Sequence, residues 1–177
     1  MGKRSDFERN AHDSYPTPYE AVLPLLRFLA NVHTFAEPCA GAGALVHHLE
    51  KHRLRCVFRS DIVQSANETQ LLLDARRLCV GNLSNKPDAF ITNPPWTRDV
   101  LHEIIDNLKW LAPTWLLLSA DWLFNKSSAE YLPDATDIVA IGRVKWMPES
   151  EHAGKENACW VRFVGGHDRG ATFHPNW

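Results

Sequence analysis

The sequence predicts a single α/β domain built on a mostly parallel, open sheet with helices on both faces. Three observations lead there. Short apolar runs of the kind that form buried strands alternate with stretches of helical periodicity. The run that ends at Glu37 feeds a turn containing Gly41 and Gly43, which opens a helical pattern, as at the nucleotide crevice of an open α/β sheet. The last two runs, Asp137–Trp146 and Ala158–Val164, follow each other with no helix between them, as an antiparallel hairpin at a sheet edge does.

At 177 residues the chain is long enough for one domain with a sizeable core and short for two. Apolar residues make up 45% and charged residues 23%, the balance of a soluble globular protein. A formal charge of −2 excludes a chain-wide electrostatic pull toward nucleic acid, so binding of that kind needs a local patch. The cysteines Cys39, Cys56, Cys79 and Cys159 form no C-x-x-C pair, which argues against a zinc site and a disulfide framework. No signal peptide and no apolar run of membrane length is present, so the expected location is cytoplasmic with no membrane partner.

In chain order, residues 1–13 are charged and read as a flexible N-terminal arm. One folded domain is expected over 14–165, with a patternless tail over 166–177. Tyr15-Pro16-Thr17-Pro18 is a rigid turn into a helix from about Tyr19 to Ala30, with Val22, Leu25, Leu26 and Leu29 at helical spacing. Pro24 falls within its first turns. A short strand, Val32–Glu37, precedes Pro38-Cys39-Ala40-Gly41-Ala42-Gly43 and a helix from Ala44 to about His52. The two glycines let backbone approach a ligand closely, but Val46 stands where a dinucleotide fingerprint needs a third glycine. A smaller nucleotide-like cofactor therefore fits better than NAD or FAD. The second strand, Leu54–Arg59, ends near Asp61, close to the usual offset for a carboxylate on a ribose hydroxyl pair. Strand-end capping is its ordinary role. A weak strand, Leu71–Leu73, ends at Asp74. Asp99–Leu111 is an amphipathic helix, Trp115–Ser119 a strand apolar on both faces, and Ser127–Leu132 a short helix.

Between them Ala89–Thr92 is a buried strand that runs into Asn93-Pro94-Pro95-Trp96. Two prolines continue neither a sheet ladder nor a helix, so the chain leaves the strand in a stiff loop. That loop presents one amide, one backbone carbonyl and one flat ring, a combination suited to a planar NH2 group. An exocyclic amine is a poor nucleophile because its lone pair is delocalised. Two oxygen acceptors, Asn93 Oδ1 and the Pro94 carbonyl, would draw it toward tetrahedral geometry and localise that pair. Trp96 would stack on the ring, typically for about 1–3 kcal/mol per base. A proline-stiffened turn with a packed tryptophan is the plainer reading.

Glu37-Pro38-Cys39-Ala40-Gly41-Ala42-Gly43 resembles the cofactor loop of class I S-adenosylmethionine-dependent methyltransferases. Asn93-Pro94-Pro95-Trp96 resembles the catalytic loop of their amino-methylating branch, notably the N6-adenine DNA methyltransferases, and Tyr15–Pro18 resembles that branch's N-terminal cofactor motif. The order is similar to the gamma arrangement. The resemblance covers about Tyr15 to Val164 and implies a Rossmann-like methyltransferase domain with a seven-stranded sheet. It implies S-adenosyl-L-methionine as cofactor, with Tyr15, Thr17, Glu37, Pro38, Gly41 and Gly43 around its methionine side, Asp61 on the ribose and Asp74 on the adenine amino group. Asn93, Pro94 and Trp96 would carry catalysis by in-line methyl transfer, with Pro95 and Trp146 as further substrate contacts and no metal.

The implied function is methylation of the exocyclic amino group of adenine in nucleic acid, DNA favoured over RNA. Methylation of a glutamine amide or a small-molecule amine, and a non-catalytic cofactor-binding subunit, are the alternatives. Sequence-reading relatives carry a recognition domain, yet 18 residues separate Asp74 from Asn93 and 13 follow Val164. A partner subunit or homodimer, or the loop Pro148–Asn157, would have to supply target recognition. Lys3, Arg4, Arg98, Lys126, Arg143 and Lys145 are candidate phosphate contacts in an otherwise mixed charge pattern, for which a solvated surface is the ordinary role. His47, His48 and His52 share a helix and read as surface histidines. Trp110, Trp115 and Trp122 read as core or interface residues.

Overall fold

The computed structural model describes residues 15–64, 70–147 and 153–176. The expected arm over 1–13, including Lys3 and Arg4, lies outside them, as does part of the loop Pro148–Asn157. Helix α1 spans Tyr19–Leu26 and buries Ala21, Val22 and Leu25. It is shorter than its apolar spacing suggests. Pro24 inside it removes one ladder donor, and beyond Leu26 the backbone tightens into i→i+3 bonds from Phe28 to Leu25 and from Leu29 to Leu26. Strand β1 (Thr34–Glu37) leads through the glycine turn to α2 (Ala44–Glu50), and β2 (Arg55–Asp61) and β3 (Leu71–Leu72) follow. Then come β4 (Ala89–Thr92), α3 (Arg98–Leu111), β5 (Thr114–Ser119), β6 (Ala135–Arg143), β7 (Asn157–Phe163) and β8 (Thr172–His174).

The sheet order is β3-β2-β1-β4-β5-β7-β6-β8. Every described pairing is parallel except the two made by β7, which runs antiparallel to both β5 and β6. Both faces are covered. Alternation along β5 sends Trp115 and Leu117 into a core with Val22, Leu25, Leu45 and Leu49 of α1 and α2, and Leu116 and Leu118 into one with Leu101 and Ile105 of α3.

The strand count corrects the expectation of seven. Thr172–His174, in the stretch expected to be a patternless tail, pairs in parallel with β6 and so covers the edge that the hairpin was expected to form. Three residues are too few for an alternation signal. Their strand exists because His174 Nε2 meets Asp137 Oδ1 at 2.8 Å, Arg27 Nη2 donates to the Pro175 carbonyl at 2.8 Å and Asn176 Nδ2 donates to the Ile141 carbonyl at 2.9 Å. The expected helix over Ser127–Leu132 is instead two separate 3-10 turns at its ends, Lys126–Ser128 and Leu132–Asp134. The Ser128 hydroxyl donates back to the Asn125 carbonyl at 2.6 Å, the local competition by which serine favours turns over helix. Trp115 and Trp122 are buried as expected, whereas Trp110 is exposed on the outer side of α3.

Candidate functional site

Chain order places the site. After β1 the chain moves outward to β2 and β3; after β4 it moves the other way to β5. The β1–β4 boundary is thus the point where the strand order reverses, and ligands of open α/β sheets sit outside the carboxyl ends of the strands there. The register pairs Phe35 with Ala89 and Ala36 with Phe90, so the glycine turn after Glu37 and the Asn-Pro-Pro-Trp loop after Thr92 leave neighbouring strands at one edge. The two motifs therefore stand side by side at one edge of the sheet.

Gly41 (φ 51°) and Gly43 (φ 84°) both occupy the left-handed region, where a side chain is strained. Space beside Gly43 is open, so its backbone angle and not crowding requires glycine. Three hydrogen bonds shape the turn: Gly43 N–H to the Ala40 carbonyl at 2.7 Å, Ala40 N–H to Ser60 O at 2.9 Å, and Gly41 N–H to Asp61 Oδ2 at 2.8 Å. Asp61 also accepts from Val63 N–H at 3.0 Å. The carboxylate expected on a ribose is thus also the brace of the glycine turn. Glu37 is 2% exposed, and its Oε2 has no hydrogen-bond partner among the described residues. Burial raises its pKa well above the ordinary glutamate value. Burial likewise pushes the Cys39 thiol far up, leaving it protonated and unsuited to act as a nucleophile.

The Asn93 loop is held by two tethers. Phe90 N–H donates to Pro113 O, and Thr92 lies level with Leu116, so the next donor in the β4–β5 ladder falls on residue 94. Proline has no N–H to give. The Leu117 carbonyl is taken instead by the Trp96 indole Nε1–H at 2.9 Å, which folds the loop back over the end of β5. Trp146, half-buried beyond the end of β6, meets the Trp96 ring edge-on, with centroids 5.5 Å apart at 84°. The second tether runs from Asn93 Nδ2 to the Tyr15 carbonyl at 3.2 Å, across 78 residues. With the amide nitrogen so engaged, Oδ1 is the end of the side chain turned to other partners.

The N-terminal turn joins the site from both of its ends. Tyr15 touches Asn93, while Thr17 is buried at 4% exposure and its backbone favours the charged form of His48 on α2. Burial lowers the His48 pKa, with Lys51 acting in the same direction. His48 and His52 pack against the Tyr19 ring at 5.3 and 5.9 Å, and His52 Nε2 hydrogen-bonds the Tyr19 hydroxyl at 2.9 Å. Sequence reading assigns these histidines only to the surface. Their i,i+4 spacing signals a shared face, but not that Tyr19, on another helix, lies on it.

Asp74 stands apart from this crowd. It accepts from the Arg76 backbone at 2.9 Å and from its guanidinium at 2.6 to 3.0 Å, and the Arg76 side chain holds its carboxyl below the usual range. The segment behind it hangs from α3, where Asn107 Nδ2 donates to the Ala75 and Leu78 carbonyls, each at 2.8 Å. Asn107 is a supporting residue that sequence reasoning misses. Arg98, Lys126, Arg143 and Lys145 are all exposed, on segments at or just after the loop and the carboxyl ends of β5 and β6. Among the described residues no cluster of His, Cys, Asp or Glu is arranged to hold a metal ion, and no helix is long and apolar enough to cross a membrane.

No family model and no curated protein matches the chain. Solved structures do. One described as a modification subunit of a type I restriction enzyme from Vibrio vulnificus superposes with a TM-score of 0.52 at 14% identity, over 92% of this chain and 47% of that one. The chain thus spans about half the length of that subunit. A structure described as an RNA methyltransferase from Pyrococcus horikoshii matches with a TM-score of 0.56 at 15% identity, over 86% of this chain and 87% of the other. One described as a class I S-adenosylmethionine-dependent methyltransferase from Listeria monocytogenes gives 0.57 at 10% identity, over 96% and 68%. At these identities the likeness shows the fold: this chain has the fold of class I S-adenosylmethionine-dependent methyltransferases.

Proposed function

We propose that the chain is an S-adenosylmethionine-dependent N-methyltransferase acting on the exocyclic amino group of adenine in nucleic acid, with DNA favoured over RNA. The observation that carries this reading is the tether from Asn93 Nδ2 to Tyr15 O, made where the strand order reverses and beside the glycine turn. It orients one amide oxygen at the crevice that the fold reserves for a nucleotide-like ligand.

The residues present fit the cofactor. The orphaned Glu37 Oε2 and the left-handed Gly41–Gly43 turn offer a buried acceptor and closely approachable backbone at the same strand end. Glu37, Pro38, Gly41 and Gly43 would hold the methionine side with Tyr15 and Thr17, and Asp61 the ribose. Asp74, already bonded to Arg76, would accept from the adenine amine with its remaining lone pairs. When bound, S-adenosylmethionine supplies an electrophilic sulfonium methyl. The protein's part is to present the acceptor amine. Asn93 Oδ1 and the Pro94 carbonyl each accept one of its N–H bonds and so localise the nitrogen lone pair, a contact that strengthens as positive charge develops on nitrogen. Trp96, fixed through Leu117, provides a stacking face whose position costs nothing to organise at the moment of reaction, with Pro95 and Trp146 as its walls.

Nucleic acid is favoured as substrate by the likeness to the modification subunit of a type I restriction enzyme and by the exposed Arg98, Lys126, Arg143 and Lys145 at this edge. A duplex adenine must be flipped out to reach Asn93, at a cost of a few kcal/mol. A partner subunit or second copy would add target recognition. The test is transfer of labelled methyl from the cofactor to DNA, RNA and protein fractions, followed by nucleoside mass analysis. N6-methyladenine is expected, and Asn93→Ala should lower the rate by about 10²–10³, the usual effect of deleting one transition-state hydrogen-bond partner. Methyl appearing only in protein, or an Asn93→Ala variant at full rate, overturns the proposal.

A further inference from the structure

Trp96 and Trp146 are both held from behind. The Trp96 indole N–H is fixed on the Leu117 carbonyl at 2.9 Å, and the Trp146 ring packs against the buried core that includes Val144. Gly154 N–H donates to the Val144 carbonyl at 2.7 Å, which brings Gly154 close against the Trp146 indole. A methyl at Gly154 would lie 3.1 Å from Trp146 Cδ1 and 3.2 Å from its Nε1, so the ring has little room to turn. The two rings thus meet at a set angle, their planes 84° apart and their centroids 5.5 Å apart. Trp146 is half-buried, so part of its ring is open to a ligand.

A corner of this kind limits what can fill it. A planar group stacked on Trp96 lies nearly perpendicular to the Trp146 ring, so no single base stacks on both. What stacks on Trp146 is a second planar group, turned by about a right angle from the first. Neighbouring bases in a helical stack are parallel and cannot occupy both rings. They can once the target has left the stack, which is also the state that access to Asn93 requires. A free nucleoside, a small amine or a glutamine amide has no second ring to offer. Arg143 and Lys145 stand exposed on the segment that carries Trp146, where cations suit the phosphate joining two nucleotides.

We propose that Trp146 is a specificity-determining residue that stacks on the base next to the target in the same strand, so that the site takes an unstacked dinucleotide step and not a lone adenine. The inference rests on the nucleic-acid reading above and names the second subsite of that substrate.

The test uses the full chain, S-adenosylmethionine and short single-stranded oligodeoxynucleotides with one adenine. In companion strands the base before or after that adenine is replaced by an abasic sugar, which removes the ring and keeps the phosphate. For one of these two positions, the ratio of kcat/KM on the intact strand to that on the abasic strand should be about fivefold to 150-fold larger for the unaltered protein than for Trp146→Ala, the range for loss of one base–aromatic stack. Trp146→Phe should keep most of that ratio. Trp146→Leu, which keeps apolar bulk against Val144, should lose it as Trp146→Ala does. A merely structural role, in which Trp146 only steadies Trp96, would slow intact and abasic strands alike and leave the ratio unmoved. A second reading is fluorescence of 2-aminopurine placed next to the target: bound to Trp146→Leu it should be brighter than bound to the unaltered protein, whose indole quenches it. Equal ratios in the unaltered protein and the alanine and leucine variants overturn this inference and leave the nucleic-acid reading standing. No methyl transfer to adenine in any strand by the unaltered protein overturns both.

Discussion

Replacing Trp96 with phenylalanine tests what holds the Asn93 loop. The substitution keeps an aromatic face toward Trp146 but deletes the indole N–H that reaches the Leu117 carbonyl at 2.9 Å. Leu117 is fully buried, and Pro94 has no backbone donor to offer in its place. The carbonyl would therefore stay unsatisfied, which costs about 1–3 kcal/mol. Trp96→Ala also forfeits the edge-on ring pair, about 0.5–1.5 kcal/mol more. Against a total stability of about 5–15 kcal/mol these are large effects. In urea titrations the midpoint should fall with an unchanged slope, and melting should drop by about 2–4 °C per kcal/mol for a chain of this size. Pro94→Ala is the counter-test. It restores a ladder N–H that competes for the same carbonyl, so strand β4 can lengthen and the loop re-aims; stability should hold while methyl transfer falls. If Trp96→Phe unfolds at the same midpoint as the unaltered protein, the indole is not the tether and the account of the loop fails.

Further outcomes follow from other contacts. A methyl at Gly154 would lie 3.0 Å from Val144 O and 3.1 Å from Trp146 Cδ1, so Gly154→Ala should push the Trp146 ring off Trp96. The expected stability cost is about 1–3 kcal/mol, with weaker substrate binding and unchanged cofactor affinity by titration calorimetry. Lys109 is 9% exposed between Asp106 and Asp134, at 2.8 and 2.9 Å, and Lys109→Met should cost about 1–3 kcal/mol in denaturant titration by leaving the Asp134 carboxylate without its countercharge and with only the Gly166 N–H as donor among the described residues. Asp137 supports acid stability: burial raises its pKa, but His174, Thr136 and Arg162 together outweigh burial and lower it. Its contribution is therefore complete above the unfolded aspartate value of about 3.9 and is lost as pH falls through the depressed folded value. Melting followed from neutral to strongly acid pH should show that loss, and Asp137→Asn should flatten it.

The sequence alone determined the parts whose causes are local. Apolar runs marked β1, β4 and β5; Gly41 and Gly43 marked the turn whose positive φ only glycine takes without strain; Pro94 and Pro95 marked where β4 had to stop. Those signals sit within a few residues of what they specify, so the order of the two loops, and hence their place at one sheet edge, was legible. The tertiary structure alone decided what joins distant segments. That Asn93 is oriented by Tyr15, that Asp61 braces Gly41, that His48 reaches Thr17 and that Asn107 carries the Asp74 segment are facts of packing between elements. Strand β8 belongs with these, because its three residues have no pattern of their own and are held by Asp137, Arg27 and Ile141. Local propensity encodes backbone angles and periodicity. A hydrogen bond across 78 residues depends on where the whole chain has gone, and no short window of sequence contains that.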